Sequence, residues 1–236
     1  NEYIKGIYLE AGGIEADPAS IEEIRNALLR FKQTGKFVVA YGGNYTETDY
    51  YICSIADKVI LNPQGTVDWH GVASQTIYFK DLLAQLGIEM EVFKVGTYKS
   101  AVEPYTSMEM SDENREQITA YTSSIWNNMV QGVSLSRDIT PEKLNQYADR
   151  YMAFASPSET LETGLVDTLL YLDGTKEYLK QLMNEGKSLK VLSLDEVKNI
   201  QKNVPLDKSG NIIAMYYAEG QIVDNPSTGM GTTPEI

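Results

Sequence analysis

The chain has 236 residues, with 20 Lys plus Arg against 33 Asp plus Glu, a formal net charge of −13, and one residue each of His and Cys; 42% is hydrophobic and 22% charged. Such a chain can bury a core, which excludes wholesale disorder and fibrous repeats. The lone Cys53, expected to pack inside, excludes an intrachain disulfide framework and a cysteine-cluster metal site; the single His70 excludes a site built on several imidazoles, and the acid excess argues against a nucleic-acid partner.

Tyr8-Leu9-Glu10-Ala11 reads as a strand running into Gly12-Gly13. Ser20 with Glu23 forms a capping box, and Ile21, Ile24, Ala27, Leu28 and Phe31 recur at helical spacing up to Gly35, so a helix is predicted over 20–34. The β-branched and aromatic run 37–41 reads as a strand buried on both faces and closed by Gly42-Gly43. An apolar segment at 50–56 leads to a second strand, 58–61, stopped by Asn62-Pro63 and a turn at Gln64-Gly65. A helix over 77–86, ended by Gly87, precedes 89–95, where Met90, Val92 and Phe93 alternate with charged residues as in a strand.

Ser111, followed by Asp112 and Glu113, starts the longest helix, with Ile118, Tyr121, Ile125, Met129 and Val133 along one face. Thr140-Pro141 and Ser156-Pro157 are cap-plus-first-residue pairs that start two shorter helices, the second ended by Gly164 before Leu165-Val166-Asp167. Strands alternating with helices imply an α/β fold with a largely parallel sheet. After a polar stretch at 203–210, the apolar run 212–218 reads as the opening strand of a new domain. No apolar run approaches the roughly 20 residues of a membrane span. The first residue is Asn and no leader follows it, the reading expected of a mature or trimmed chain.

Lys99 sits where a βα loop would set it in a cleft, and a lysine amine becomes a base only when burial or a neighbouring cation lowers its pKa. Spacing alone favours an exposed loop lysine. His70 either pairs with Asp68 or is a structural histidine beside Trp69. Gly12-Gly13 either presents backbone N–H groups to an oxyanion or is a plain turn. The acidic pairs Glu22-Glu23 and Asp112-Glu113, like Glu159, lie in first helical turns, where the dipole accounts for them. No phosphate-binding glycine fingerprint, Gly-x-Ser-x-Gly elbow or metal-spaced His/Glu motif occurs.

Four stretches together, Gly35-Lys36-Phe37-Val38-Val39-Ala40, Ala56-Asp57-Lys58-Val59-Ile60-Leu61-Asn62-Pro63-Gln64-Gly65, Val95-Gly96-Thr97-Tyr98-Lys99-Ser100-Ala101-Val102-Glu103-Pro104 and Gly164-Leu165-Val166-Asp167, resemble the signal peptide peptidase A (protease IV) family, in order and over nearly the whole chain. The resemblance is to the first half of the long, two-repeat members, with 1–205 as the base-lysine repeat and 206–236 as a linker and the first strand of a second repeat. It implies a crotonase-like (ClpP/crotonase) α/β fold and makes Lys99 the general base of a Ser-Lys dyad. The serine nucleophile would lie in a second half that this chain does not reach. Glu47 stands at the serine's place in Gly42-Gly43-Asn44-Tyr45-Thr46-Glu47, so this half's own site is expected to be degenerate. Ala11-Gly12-Gly13 resembles the family's Pro-Gly-Gly oxyanion loop.

The resemblance further implies a serine endopeptidase that degrades cleaved signal peptides and needs no metal or cofactor. It implies apolar peptides and the chain's own C-terminal repeat as partners. It also implies a homo-oligomer, expected as a tetramer, held at the inner membrane by an anchor outside this chain with its active sites on the periplasmic side. The 236 residues alone are expected to be inactive. Two alternatives stand beside it: a crotonase-type enzyme acting on coenzyme A thioesters, since a shared fold does not fix function, and a non-catalytic oligomer scaffold.

Overall fold

In the computed structural model, residues 4–183 and 189–201 are described. β-branched and aromatic runs make the sheet: β1 (Gly6–Glu10), β2 (Phe37–Gly42), β3 (Lys58–Leu61) and β4 (Thr168–Leu169), all parallel and in that spatial order. Parallel neighbours need crossovers, and here helices supply them. Val38, Val39, Ala40, Val59, Ile60 and Leu61 have no exposed surface. Alternation sends Val38, Ala40, Val59 and Leu61 into the main core, while Val39, Tyr41 and Ile60 face a smaller cluster with Leu179. Burial on both faces is the reason the run is continuously apolar. This is the α/β parallel-sheet class expected, consistent with a ClpP/crotonase-like arrangement.

The first helix, α1 (Pro18–Lys32), starts earlier than the Ser20-Glu23 box predicts. Asp17 is the cap: its Oδ1 accepts the Ala19 and Ser20 amides at 3.0 Å each, and the Ser20 hydroxyl donates to Oδ2 at 2.7 Å. Pro18 suits the first turn, which has no partner for its missing N–H. The apolar segment near 50–56 is mostly α2 (Glu47–Cys53), with a full capping box between Thr46 and Asp49.

Helix α3 is confined to Lys80–Gln85 and buries none of its residues. The strand expected over 89–95 does not form. No ladder receives it, and Met90, Phe93 and Val95 are 45%, 90% and 91% exposed. A short α4 (Glu103–Thr106) leads to the 26-residue α5 (Asp112–Arg137), capped by Ser111 as predicted. Of its predicted apolar face only Val133 is fully buried, joined by Val130, while Tyr121 is 63% exposed.

α6 (Pro141–Asp149) and α7 (Pro157–Glu162) are capped by Thr140 and Ser156 as expected, and a 3-10 turn, Met152–Phe154, lies between them. Leu165 and Val166 are buried in the approach to β4 and not in a strand. α8 (Leu172–Leu182) carries Leu179 to the smaller core cluster.

The chain divides into two compact units, Asn1–Leu189 and Lys190–Ile236. In the second, α9 (Leu194–Gln201) is preceded by Ser193, whose amide and hydroxyl donate to Glu196 at 2.7 and 2.9 Å. The boundary expected at 205/206 and the strand expected over 212–218 lie outside the described residues. Among the described residues no helix is long and apolar enough to cross a membrane.

Candidate active site

β1 and β2 run in register, with Glu10 opposite Tyr41, so both strands release their chains at one end of the sheet. Loops at the carboxyl ends of parallel strands are where α/β proteins place their sites. Gly13 takes a left-handed φ of +79°, which an L side chain resists, and the amides of Gly13 and Ile14 converge. Their acceptor is Asp49. Its carboxylate takes Gly13 N–H at 3.0 Å and Ile14 N–H at 3.1 Å, and the Thr46 hydroxyl at 2.8 Å. Asp49 is 1% exposed. The glycine loop therefore presents its amides to an anion, and the anion is supplied by the protein's own α2.

Glu47 opens α2, and its Oε1 accepts the amides of His70 at 3.0 Å and Gly71 at 2.8 Å. His70 Nδ1 lies 2.7 Å from Asp68 Oδ1, and its ring stacks on Tyr151 at 6.2 Å. The pairing reading of His70 is the one that forms. Trp69, between them, points the other way into the core and donates to the Leu144 carbonyl at 2.9 Å. Residues two apart share a face when the backbone is extended.

Lys99 lies in the 88–102 connection, three residues after Gly96 at φ +100°. It is exposed, not set in the partly buried cleft expected of a βα loop, because the segment before it has no place in the sheet. None of the ion pairs among the described residues involves it. The residues around it are tethered. Tyr98 donates its hydroxyl to Glu116 at 3.1 Å, and Glu103, 4% exposed, accepts from Ser111 and Asn114 on α5.

Sequence reasoning had not singled out Asp49 or Glu103. The Thr46-x-x-Asp49 spacing is a legible capping signal, whereas the Gly13 partner is fixed only by the tertiary fold. Burial pushes the Cys53 thiol up to about 12, with the Asp49 charge adding to it, so this cysteine is a packing group and a poor nucleophile. Burial likewise raises the phenols of Tyr45 and Tyr50, whose rings meet edge to face. No group of three or more His, Cys, Asp or Glu side chains among the described residues is arranged to hold a metal.

Fold and site together define a parallel α/β protein whose glycine loop at the strand ends is closed by its own Asp49 carboxylate. Residues 30–186 match the model of peptidase family S49, and the chain belongs to that family. It is 34% identical over 234 residues to Protease 4 of Haemophilus influenzae and 34% identical over 232 residues to Protease 4 of Salmonella typhi. Each match covers 95% of this chain but only 38% and 37% of the relative. A third relative, the chloroplastic serine protease SPPA of Arabidopsis thaliana, is 28% identical over 196 residues, 83% of this chain and 28% of its own. Among solved structures, a mutant of the 1510-N membrane-bound stomatin-specific protease aligns with a TM-score of 0.39 and 10% identity, over 74% of this chain and 84% of its own.

Proposed function

We propose that this chain is the amino-terminal half of a membrane-associated serine endopeptidase that degrades cleaved signal peptides, with Lys99 as general base and the nucleophilic serine in a carboxyl-terminal half. The observation that carries this reading is the state of Glu47. The resemblance puts Glu47 at the family's serine position, and its carboxylate there accepts the His70 and Gly71 amides, which supports a half without a nucleophile of its own. The relatives' greater length leaves room for the second half.

In this reading residues 1–205 form the base-lysine repeat and 206–236 lead into the second. The Lys99 amine, covered and desolvated by that second half, takes the proton of the serine hydroxyl as the oxygen attacks the scissile carbonyl. The resulting ammonium then protonates the departing amine, and water releases the acyl group by the same route in reverse. Desolvation is what would bring a lysine into the neutral form at working pH. The subunits assemble as a tetramer on the periplasmic face of the inner membrane, held by an anchor outside this chain. Apolar peptides are the substrates, and no cofactor takes part.

Hydrolysis of an apolar signal-peptide-like substrate by the full-length protein, by its Lys99→Ala variant and by the 236-residue chain tests the reading. Only the unaltered full-length protein should cleave, with Lys99→Ala slower by on the order of 10⁴. Cleavage by the 236 residues alone would place a complete site within them and overturn the split dyad.

A further inference from the structure

The Lys99 segment is exposed and packs on no strand, yet a base must be held within a fraction of an ångström of its partner. Two tethers fix it to one helix. Ahead of Lys99, Tyr98 reaches Glu116 on α5 at 3.1 Å. Behind it, Glu103 is a buried carboxylate that accepts the Ser111 hydroxyl at 2.6 Å, the Ser111 amide at 3.3 Å and the Asn114 side-chain amide at 2.9 Å. The backbone joins Lys99 to this anchor tightly, since the Glu103 amide donates to the Ser100 carbonyl at 3.0 Å. Helix α5 itself is fastened to the core through Val130 and Val133.

We infer that Glu103 is a positioning residue for Lys99, its buried carboxylate pinning the base-bearing turn to the first turn of α5. This inference rests on the assignment of Lys99 as the base. A carboxylate fits the task better than an amide, because all three of its partners are donors. Ser111 is used twice: its hydroxyl donates to Glu103 and accepts the Asn114 amide at 3.2 Å, so the helix cap and the loop anchor share one side chain. Hydrogen bonding from the Ser111 hydroxyl lowers the Glu103 pKa, keeping the anchor ionised at neutral pH.

The test is a cycle in the full-length protein: Glu103→Gln, Lys99→Ala, the double variant and, as a milder probe of the same anchor, Asn114→Ala, assayed for kcat and KM on an apolar peptide. Glu103→Gln should lower kcat by about 100-fold, the loss typical of a small misplacement of reacting groups, with KM changed by less than about threefold. Asn114→Ala should lower kcat by about tenfold. Because Glu103 acts through Lys99, the double variant should be no slower than Lys99→Ala alone. Losses that multiply in the double variant, or an unchanged kcat in both Glu103→Gln and Asn114→Ala while Lys99→Ala is inactive, would overturn the positioning role and leave the base assignment standing. An active Lys99→Ala would instead strike the base assignment, and this inference with it.

Discussion

The Asp49 carboxylate and the Gly13 amide, 36 residues apart in sequence, meet at 3.0 Å, with the Ile14 amide beside them at 3.1 Å. One buried side chain thus closes the glycine loop after β1 and caps α2 after β2, locking together the two strand ends where a site would be built. Removing the carboxylate takes the acceptor from three backbone donors, those of Gly13, Ile14 and Thr46, and from the Thr46 hydroxyl. Asp49→Ala should lower the free energy of unfolding by about 2 to 3 kcal/mol, the range for losing hydrogen bonds to a charged group. Urea unfolding gives the number, and hydrogen exchange at the Gly13 and Ile14 amides should speed up in the folded protein. A variant as stable as the parent, with those amides still protected, would show the contact to be incidental.

Arg137 and Asp167 form the best-buried ion pair described, at 2.7 Å, and each has a second duty. Arg137 also donates to the Gly164 carbonyl at 3.0 Å, and Asp167 accepts the Val59 amide at 2.6 Å, which ties the approach to β4 onto β3. Breaking such a pair from one side leaves an uncompensated charge, so Arg137→Ala should cost about 3 to 5 kcal/mol. Thermal unfolding of that variant beside Asp167→Asn measures it; a loss below 1 kcal/mol in Arg137→Ala contradicts the assignment.

Much of the sheet was readable from the chain because its strands are buried on both faces and therefore apolar in unbroken runs, as at 37–41 and 59–61. The segment at Tyr50 was readable as an apolar stretch between two strands, but its residues did not fix the bounds of a helix. Its aromatic and β-branched residues favour strand, and a seven-residue helix shows too little periodicity; the Thr46-Asp49 box and burial of Tyr50, Tyr51 and Ile52 decide the matter. The alternation at 89–95 misled for the opposite reason, since a strand needs a neighbour and none receives this one. Lys99 drew notice by its place after an expected strand, but its base role came only through family resemblance, and its anchors, Glu103 to Asn114 and Tyr98 to Glu116, are tertiary contacts that no periodicity announces.

Cys53 is 3% exposed, and burial raises its thiol to about 12. Thiolate is the reactive form, so the folded protein should resist thiol reagents at neutral pH and release one equivalent of thiol on denaturation. Rapid labelling of the native protein would contradict that packing.

Acid should loosen the Lys99 turn. The Ser111 hydroxyl chiefly, then the Ser111 amide and Asn114, hold the Glu103 carboxyl below its ordinary value. A group with a depressed folded-state pKa contributes stability that is full above its unfolded pKa, about 4.3 for Glu, and is lost as pH falls through the lower folded value. Asp17 shifts in the same direction, chiefly because the Ser20 hydroxyl bonds to it. Urea midpoints should therefore fall on acidification below about pH 4.3, and less steeply in Glu103→Gln than in the parent. Equal slopes would mean that the Glu103 contacts do not favour its ionised form.

The central claim is that Lys99 moves a proton for a nucleophile supplied from outside these 236 residues, and Lys99→Arg in the full-length protein tests it most directly. Arginine keeps the charge and most of the side chain's length but stays protonated at any working pH, so it cannot serve as a base. The account predicts that kcat/KM for an apolar peptide falls by on the order of 10⁴ while the protein remains folded. Activity within about tenfold of the parent would show that Lys99 supplies charge or packing and that the proton goes elsewhere.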